Sequence, residues 1–184
     1  MENIFFDLTK LKSIGKNVII GKTVRIRYPE LVEIGDNVII DDFTYISTSL
    51  LLHSNVHISA GCKIIGGKNA FVEMHEFSTL APNVVLSAGT DDYISGIATP
   101  LVPLEYKANV KIGKIVLKKH CIVGAGSVVL PDVIFDEGAC LGALSLANRS
   151  LESYFLYAGI PARQIKKRNK EEILFLEKKL RNEQ

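Results

Sequence analysis

The sequence predicts an all-β chain wound as a parallel β-helix of about six coils and closed by an α-helix. Three observations carry this. Apolar residues recur at every sixth position, a small or β-branched residue lies four positions after nearly every one, and the rhythm breaks once, over residues 86–106, before resuming in the same style.

The apolar positions begin Ile14, Ile20 and Ile26, and continue Ile34, Ile40, Ile46, Leu52, Ile58 and Ile64. Met74, Leu80 and Leu86 follow, then Leu117, Val123, Val129, Phe135 and Leu141. The small series includes Val18, Val38, Thr44, Cys62, Ser78, Cys121, Ser127, Ala139 and Ser145. A strand alternates its side chains, so two of six residues point inward while the remainder turn the corner. A helical period of about 3.6 drifts off this phase within a few repeats. Three hexads make one triangular coil, and stacked coils pair as parallel strands about 4.8 Å apart. Large residues fill the prism; small ones fit its corners.

The faults in the repeat predict its decoration. Ile26 to Ile34 carries a Tyr28-Pro29 corner insertion, and Ile64 to Met74 carries the turn residues Gly66, Gly67, Lys68 and Asn69. Leu86 to Leu117 is the long excursion, LSAGTDDYISGIATPLVPLEY at its start. A loop of that length on a rigid scaffold marks function. The expected division is a β-helix domain over 1–168, with the excursion at 87–114, and a terminal helix over 169–184 with Ile173, Leu176 and Leu180 on one face. The helix caps the last coil or packs on a neighbouring subunit.

Composition narrows the function. The chain has 184 residues and a net charge of +2, which supports one core and gives no nucleic-acid footprint. Three widely spaced cysteines make neither a disulfide framework nor a zinc knuckle. No secretory leader and no apolar run of about 18 residues is visible, so the expectation is a soluble cytoplasmic protein without membrane insertion.

The hexads, the segment VGAGSVVLP (123–131) and the ending YAGIPAR (157–163) resemble the hexapeptide-repeat acyltransferases, and within them the sugar and galactoside acetyltransferases. The resemblance implies a left-handed hand for the helix, acetyl-CoA as co-substrate, no metal, and a homotrimer whose cleft is shared between prisms. It implies that Gly124, Ala125, Gly142 and Ala143 line the pantetheine arm, and that Arg163, Lys166 and Lys167 meet the coenzyme's phosphates. Small residues suit a thin ligand that approaches the backbone closely; by themselves they equally suit β-helix corners.

The acceptor side departs from that pattern. Where the galactoside and maltose enzymes carry a catalytic His in the loop, this chain has Asp91 and Asp92. The loop is closer to a subgroup with an Asp-Asp-Tyr-x-Ser-Gly signature associated with surface-polysaccharide modification, which adds Tyr93 and Ser95 as acceptor contacts. Phase counting supplies another base. His53 and His75 occupy the same position of adjacent coils, both pointing outward, and eighteen residues beyond His75 lies Tyr93. On that count His75, Glu76, Asp91 and Asp92 gather at one corner, where an imidazole oriented by a carboxylate deprotonates a sugar hydroxyl or amine. Asp91 and Asp92 are also good turn formers, and His75 also suits a surface or interface role. Two other classes remain: a metalloenzyme similar to the gamma-type carbonic anhydrases, for which a third histidine is wanting, and a non-catalytic β-helix assembly protein.

Overall fold

Most hexads make a strand of two or three residues because alternation buries one large side chain and the following corner interrupts the ladder. The computed structural model describes residues 6–183 and shows these strands stacked as three parallel faces. One face carries Ile19–Ile20, Ile39–Ile40, His57–Ile58, Thr79–Leu80, Ile122–Val123, Cys140–Leu141 and Phe155–Ala158, which sets about seven turns. Registers keep like on like: Ile40 opposes Ile58, Ile58 opposes Leu80, and Leu80 opposes Val123.

The other two faces share long strands, because Tyr45–Leu52 and Lys63–Met74 run past their common corner without breaking. Tyr45–Leu52 alternates half-buried and buried along its whole length, the period-two signature of one extended strand. Inward residues form columns. Leu52, Met74, Leu117 and Phe135 stack in one of them and are almost wholly buried. The small series closes the corners: the hydroxyls of Ser78 and Ser127 donate to the carbonyls of His75 and Gly142 at 2.6 and 2.8 Å. Cys62 and Cys121 fill equivalent corner positions as free thiols, and burial pushes them up to about 11 and about 12. They are packing residues, inert as nucleophiles.

One corner column is left-handed. Asn17, Asn37, Asn55, Phe77, His120 and Tyr154 all have φ between 55° and 60°. Asn tolerates this conformation, but the aromatic residues do so at a cost of about 1–2 kcal/mol each. Coil stacking offsets that cost: the N–H of His120 donates to the Glu76 carbonyl at 3.2 Å, and that of Tyr154 to the Glu137 carbonyl at 3.0 Å.

The insertions share another edge. The Tyr28-Pro29 fault is a 3-10 turn, Pro29–Leu31, and Gly66 to Asn69 bulge out of Lys63–Met74. The excursion opens at Gly89–Thr90 and closes at Lys111–Ile112, two short strands paired antiparallel. Gly89 lies against Gly66, where an added Cβ would meet the Gly66 carbonyl oxygen at 2.8 Å. After the last coil the chain reverses, and Arg163–Lys167 pairs antiparallel with Phe155–Ala158. The terminal helix, Lys170–Asn182, starts at the cap Asn169, whose side chain accepts from the Glu172 N–H. It lies along the flank of the coils through Glu177, which meets Lys119 and His120 at 2.7 Å each. No helix is long and apolar enough to cross a membrane among the described residues.

Candidate active site

Two-residue alternation places Glu73 and His75 on the outer side of one strand end, and the next coil down supplies His53 at the position of His75. The two imidazoles stack at 4.4 Å with planes 14° apart, close to the coil spacing. Both Nε2 atoms converge on one oxygen: Glu73 Oε1 lies 3.3 Å from His53 and 3.1 Å from His75. Lys114 of the coil above holds the other oxygen at 3.3 Å. Burial alone pushes the Glu73 carboxyl up, but hydrogen bonds from His53 and Lys114 and the charge of His75 outweigh it and hold the group below its ordinary value. Glu73 is therefore an ionised anchor for both rings.

The phase count across the excursion does not hold. The residue stacked above Met74 is Leu117, and the His75 N–H donates to the Leu117 carbonyl, so Lys118 occupies the corner above His75 rather than Asp91, Asp92 or Tyr93. The excursion is inserted at the preceding edge, and residues inside it do not advance the coil. The carboxylate beside His75 is Glu73, which phase counting passed over. Strand alternation would have found it, since Glu73 is two residues before His75 and so on the same side. Glu76 instead borders a small cavity of about 250 Å³ with His53, Ser54 and Glu33.

Asp91 and Asp92 sit in the excursion with distinct tasks. Asp92 accepts from the N–H groups of Ile94, Ser95 and Asn109 and from the Asn109 amide, which hold its carboxyl below the ordinary range. It shapes the loop. The Asp91 carboxylate meets Lys107 at 3.3 Å and is part-exposed. With Thr90, Tyr93, Ser95, Asn109 and Lys111 the two aspartates line a cavity of about 470 Å³. The Tyr93 hydroxyl accepts from Thr90 at 3.1 Å while the ring itself stands in solvent.

On the closing coils, Gly124 and Gly142 occupy one corner of consecutive turns. A Cβ on Gly124 would strike the backbone of Gly142 and Ala143, so stacking alone already requires glycine there. What is left open to a ligand is the small outer surface of Ala125 and exposed Ala143. Lys166 and Lys167 line a groove of about 460 Å³ with Cys140, Leu156 and Arg168, walled on the far side by Glu172, Ile173 and Leu176 of the helix. Lys166 and Lys167 stand at the rim of this groove, while the Arg168 guanidinium donates to the carbonyls of His120 and Gly138 at 2.8 and 2.6 Å. Arg163 is exposed on the same strand, opposite Ala158, outside the groove lining.

No protein-family model matches the chain. It is 38% identical over 165 residues to the dTDP-4-amino-4,6-dideoxy-D-glucose acyltransferase of Escherichia coli, covering 86% of this chain and 83% of that protein. A point variant of AntD, an N-acyltransferase from Bacillus cereus, solved with dTDP and coenzyme A, superposes with a TM-score of 0.92 at 37% identity over 99% of this chain and 100% of that one. A variant of the same protein was solved with dTDP-4-amino-4,6-dideoxyglucose and coenzyme A. The maltose O-acetyltransferase of Clostridium difficile, at 17% identity and a TM-score of 0.58 over 89% of this chain and 73% of that one, shares the fold. The chain therefore belongs to the hexapeptide-repeat sugar acyltransferases, left-handed β-helix enzymes that draw their acyl group from coenzyme A.

Proposed function

We propose that the chain transfers an acetyl group from acetyl-CoA to the amine of a dTDP-linked 4-amino-4,6-dideoxy sugar destined for a surface polysaccharide. The likeness to AntD carries this reading, because it spans the whole of both chains and that protein was solved with nucleotide and coenzyme together. Lys166 and Lys167 take the coenzyme's phosphates, Arg163 lies on the same strand outside their groove, and Gly124, Ala125, Gly142 and Ala143 flank the coenzyme's arm. Asp91 receives the sugar ammonium in the excursion cavity, beside Tyr93, Ser95 and the loop held by Asp92.

The amine must lose a proton before it attacks the thioester. With Nε2 of His75 against Glu73, Nδ1 is the nitrogen that takes it. The C–N bond forms, the C–S bond breaks, and the proton passes on to the departing thiolate. His75 and the excursion stand on different edges of one prism, so the two halves of the site meet across a subunit boundary. A cytoplasmic homotrimer supplies that boundary.

Thiol release from acetyl-CoA, measured with nucleotide sugars bearing an amine or a hydroxyl at the same carbon, tests the acceptor. Turnover is expected with the amine alone, and a hydroxyl sugar that reacts equally well overturns it. His75→Ala is expected to lower kcat about 10²–10⁴-fold, the range of a general base, and Asp91→Asn to raise KM for the sugar. Undiminished turnover in His75→Ala removes it as the base.

A further inference from the structure

The excursion holds a charge that its own folding does not call for. Most of the residues from Tyr93 to Lys111 stand in solvent, yet the Lys107 side chain is only 13% exposed, and its ammonium lies 3.3 Å from Asp91 Oδ1. An enclosed ammonium is unfavourable unless paired, and an apolar side chain of that length would close a loop as well. Asp92 already ties the loop together through the N–H groups of Ile94, Ser95 and Asn109. We propose that Lys107 is a positioning residue for the acceptor: it holds Asp91 by one oxygen and weakens that carboxylate's grip on the sugar ammonium, so that the nitrogen is freed for attack. This deepens the reading of the excursion cavity as the acceptor site and rests on it.

Asp91 lines the cavity with Thr90, Asp92 and Lys111, whereas Lys107 reaches its Oδ1 from outside that lining. Asp91 Oδ2 has no polar partner among the described residues, which leaves it for a ligand. Local structure fixes the lysine in place. It follows the 3-10 turn Leu104–Tyr106, its N–H donates to the Leu104 carbonyl at 3.0 Å, and its own carbonyl packs so closely on Gly96 that an added Cβ there would strike it.

A carboxylate alone binds an ammonium and keeps it protonated, because opposite charge favours the charged form. A protonated nitrogen has no lone pair with which to attack a thioester. With Lys107 on the same carboxylate, the bound ammonium stands within the roughly 4–6 Å over which a like charge disfavours it. The nitrogen then gives up its proton more readily, to Nδ1 of His75 on the proposed reading, while a remaining N–H still donates to Oδ2. The other titratable groups at the cavity are Asp92, which accepts from the loop, and the exposed Tyr93 and Lys111. Lys111 acts in the same sense as Lys107, but open water screens it.

The test compares Lys107→Met and Lys107→Arg with the parent chain. Calorimetry measures binding of the dTDP-linked 4-amino sugar and of dTDP, and thiol release from acetyl-CoA is followed across pH. In Lys107→Met the aminosugar nucleotide is expected to bind about tenfold more tightly, with affinity for dTDP, which lacks the amine, unchanged. Its kcat is expected to fall about tenfold near neutral pH and to recover about one pH unit above the parent. Lys107→Arg keeps the charge and is expected to restore the parent's pH dependence. A lysine that merely braces the loop gives the opposite sign. Weaker binding of aminosugar nucleotide and dTDP alike, with kcat lost equally at every pH, overturns the proposal. Asp91→Asn separates it from the reading beneath it. Unaltered affinity for the aminosugar nucleotide in Asp91→Asn removes the cavity as the amine's site, and both fall. Weaker binding in Asp91→Asn without tighter binding in Lys107→Met removes the role of Lys107 alone.

Discussion

The terminal helix depends on one carboxylate, and removing it is a sharp test of how the helix is held. Lys170–Asn182 buries no residue outright, and an isolated helix of that length is marginal in water. Its attachment is polar. Glu177 meets Lys119 Nζ, His120 Nε2 and its own helix's Arg181 at 2.7 Å each, with the Glu177 and His120 side chains only 10% exposed. His120 also stacks on Phe77 at 5.3 Å, and Arg181 lies 5.4 Å above the same ring.

Burial pushes the Glu177 carboxyl up, but hydrogen bonds from Lys119, His120 and Arg181 more than reverse it, to about 2 from an ordinary 4.5. That difference corresponds to about 3 kcal/mol for the docked state at neutral pH. Arg181 stays with Glu177 when the helix leaves, so the share owed to the coils is nearer about 2 kcal/mol, the value of charge-assisted hydrogen bonds. Glu177→Ala should then lower the docked-to-undocked ratio about thirtyfold. Hydrogen exchange is the assay: amide protection over 170–182 falls by that factor, while the strands His57–Ile58 and Thr79–Leu80 are unchanged. Because the folded carboxyl is depressed, the parent helix keeps its full attachment above about pH 4.5 and loses it as pH falls toward about 2. Unaltered protection in Glu177→Ala, or release on raising the pH instead, refutes the reasoning.

Asp92→Ala removes the acceptor for the N–H groups of Ile94, Ser95 and Asn109, so the excursion should be cut by protease sooner while the melting temperature of the β-helix stays put. Equal cleavage rates of parent and variant count against Asp92 as the loop's organiser. Lys166→Ala combined with Lys167→Ala should raise KM for acetyl-CoA about tenfold with kcat little changed, since phosphate contacts are made alike in ground and transition states. A lost kcat at unchanged KM would remove these lysines from the proposed coenzyme site.

The coils were legible because every inward residue reports its own position: Ile40, Ile58 and Leu80 repeat one environment, and side chains of that size have nowhere else to go. Outward residues carry no such constraint, so the six-residue repeat does not single out Glu73 beside His75. Counting residues also differs from counting coils. Met74 is under Leu117, forty-three positions on, because an insertion lengthens the chain without adding a turn. The terminal helix shows the same limit in another form. Its apolar stripe of Ile173, Leu176 and Leu180 leaves Leu176 and Leu180 about half in solvent, and the docking residue is Glu177, one turn from Ile173. An amphipathic period detects faces that bury hydrocarbon; it is blind to a helix held by charge.

A prism of this kind has three edges, and the chain uses them unequally. Pro29–Leu31, the bulge at Gly66 to Asn69 and the excursion all leave from one edge, and they touch one another: Lys68 lies 5.0 Å over the Tyr28 ring and Gly66 packs on Gly89. Corner residues lie outside the parallel ladder, so lengthening them there disturbs no strand pairing, and a shape that fits an acceptor can grow at that edge without cost to the coils. His53, His75 and the residues that hold the terminal helix lie at another edge, where Phe77, His120 and Tyr154 keep the left-handed column unbroken by any insertion. The edge that varies and the edge that keeps its geometry are one face apart in a single chain. On the proposed reading, a trimer sets the excursion edge of one subunit against the His75 edge of the next, so the acceptor pocket and the proposed base come from different chains and neither disturbs the coils that carry the other.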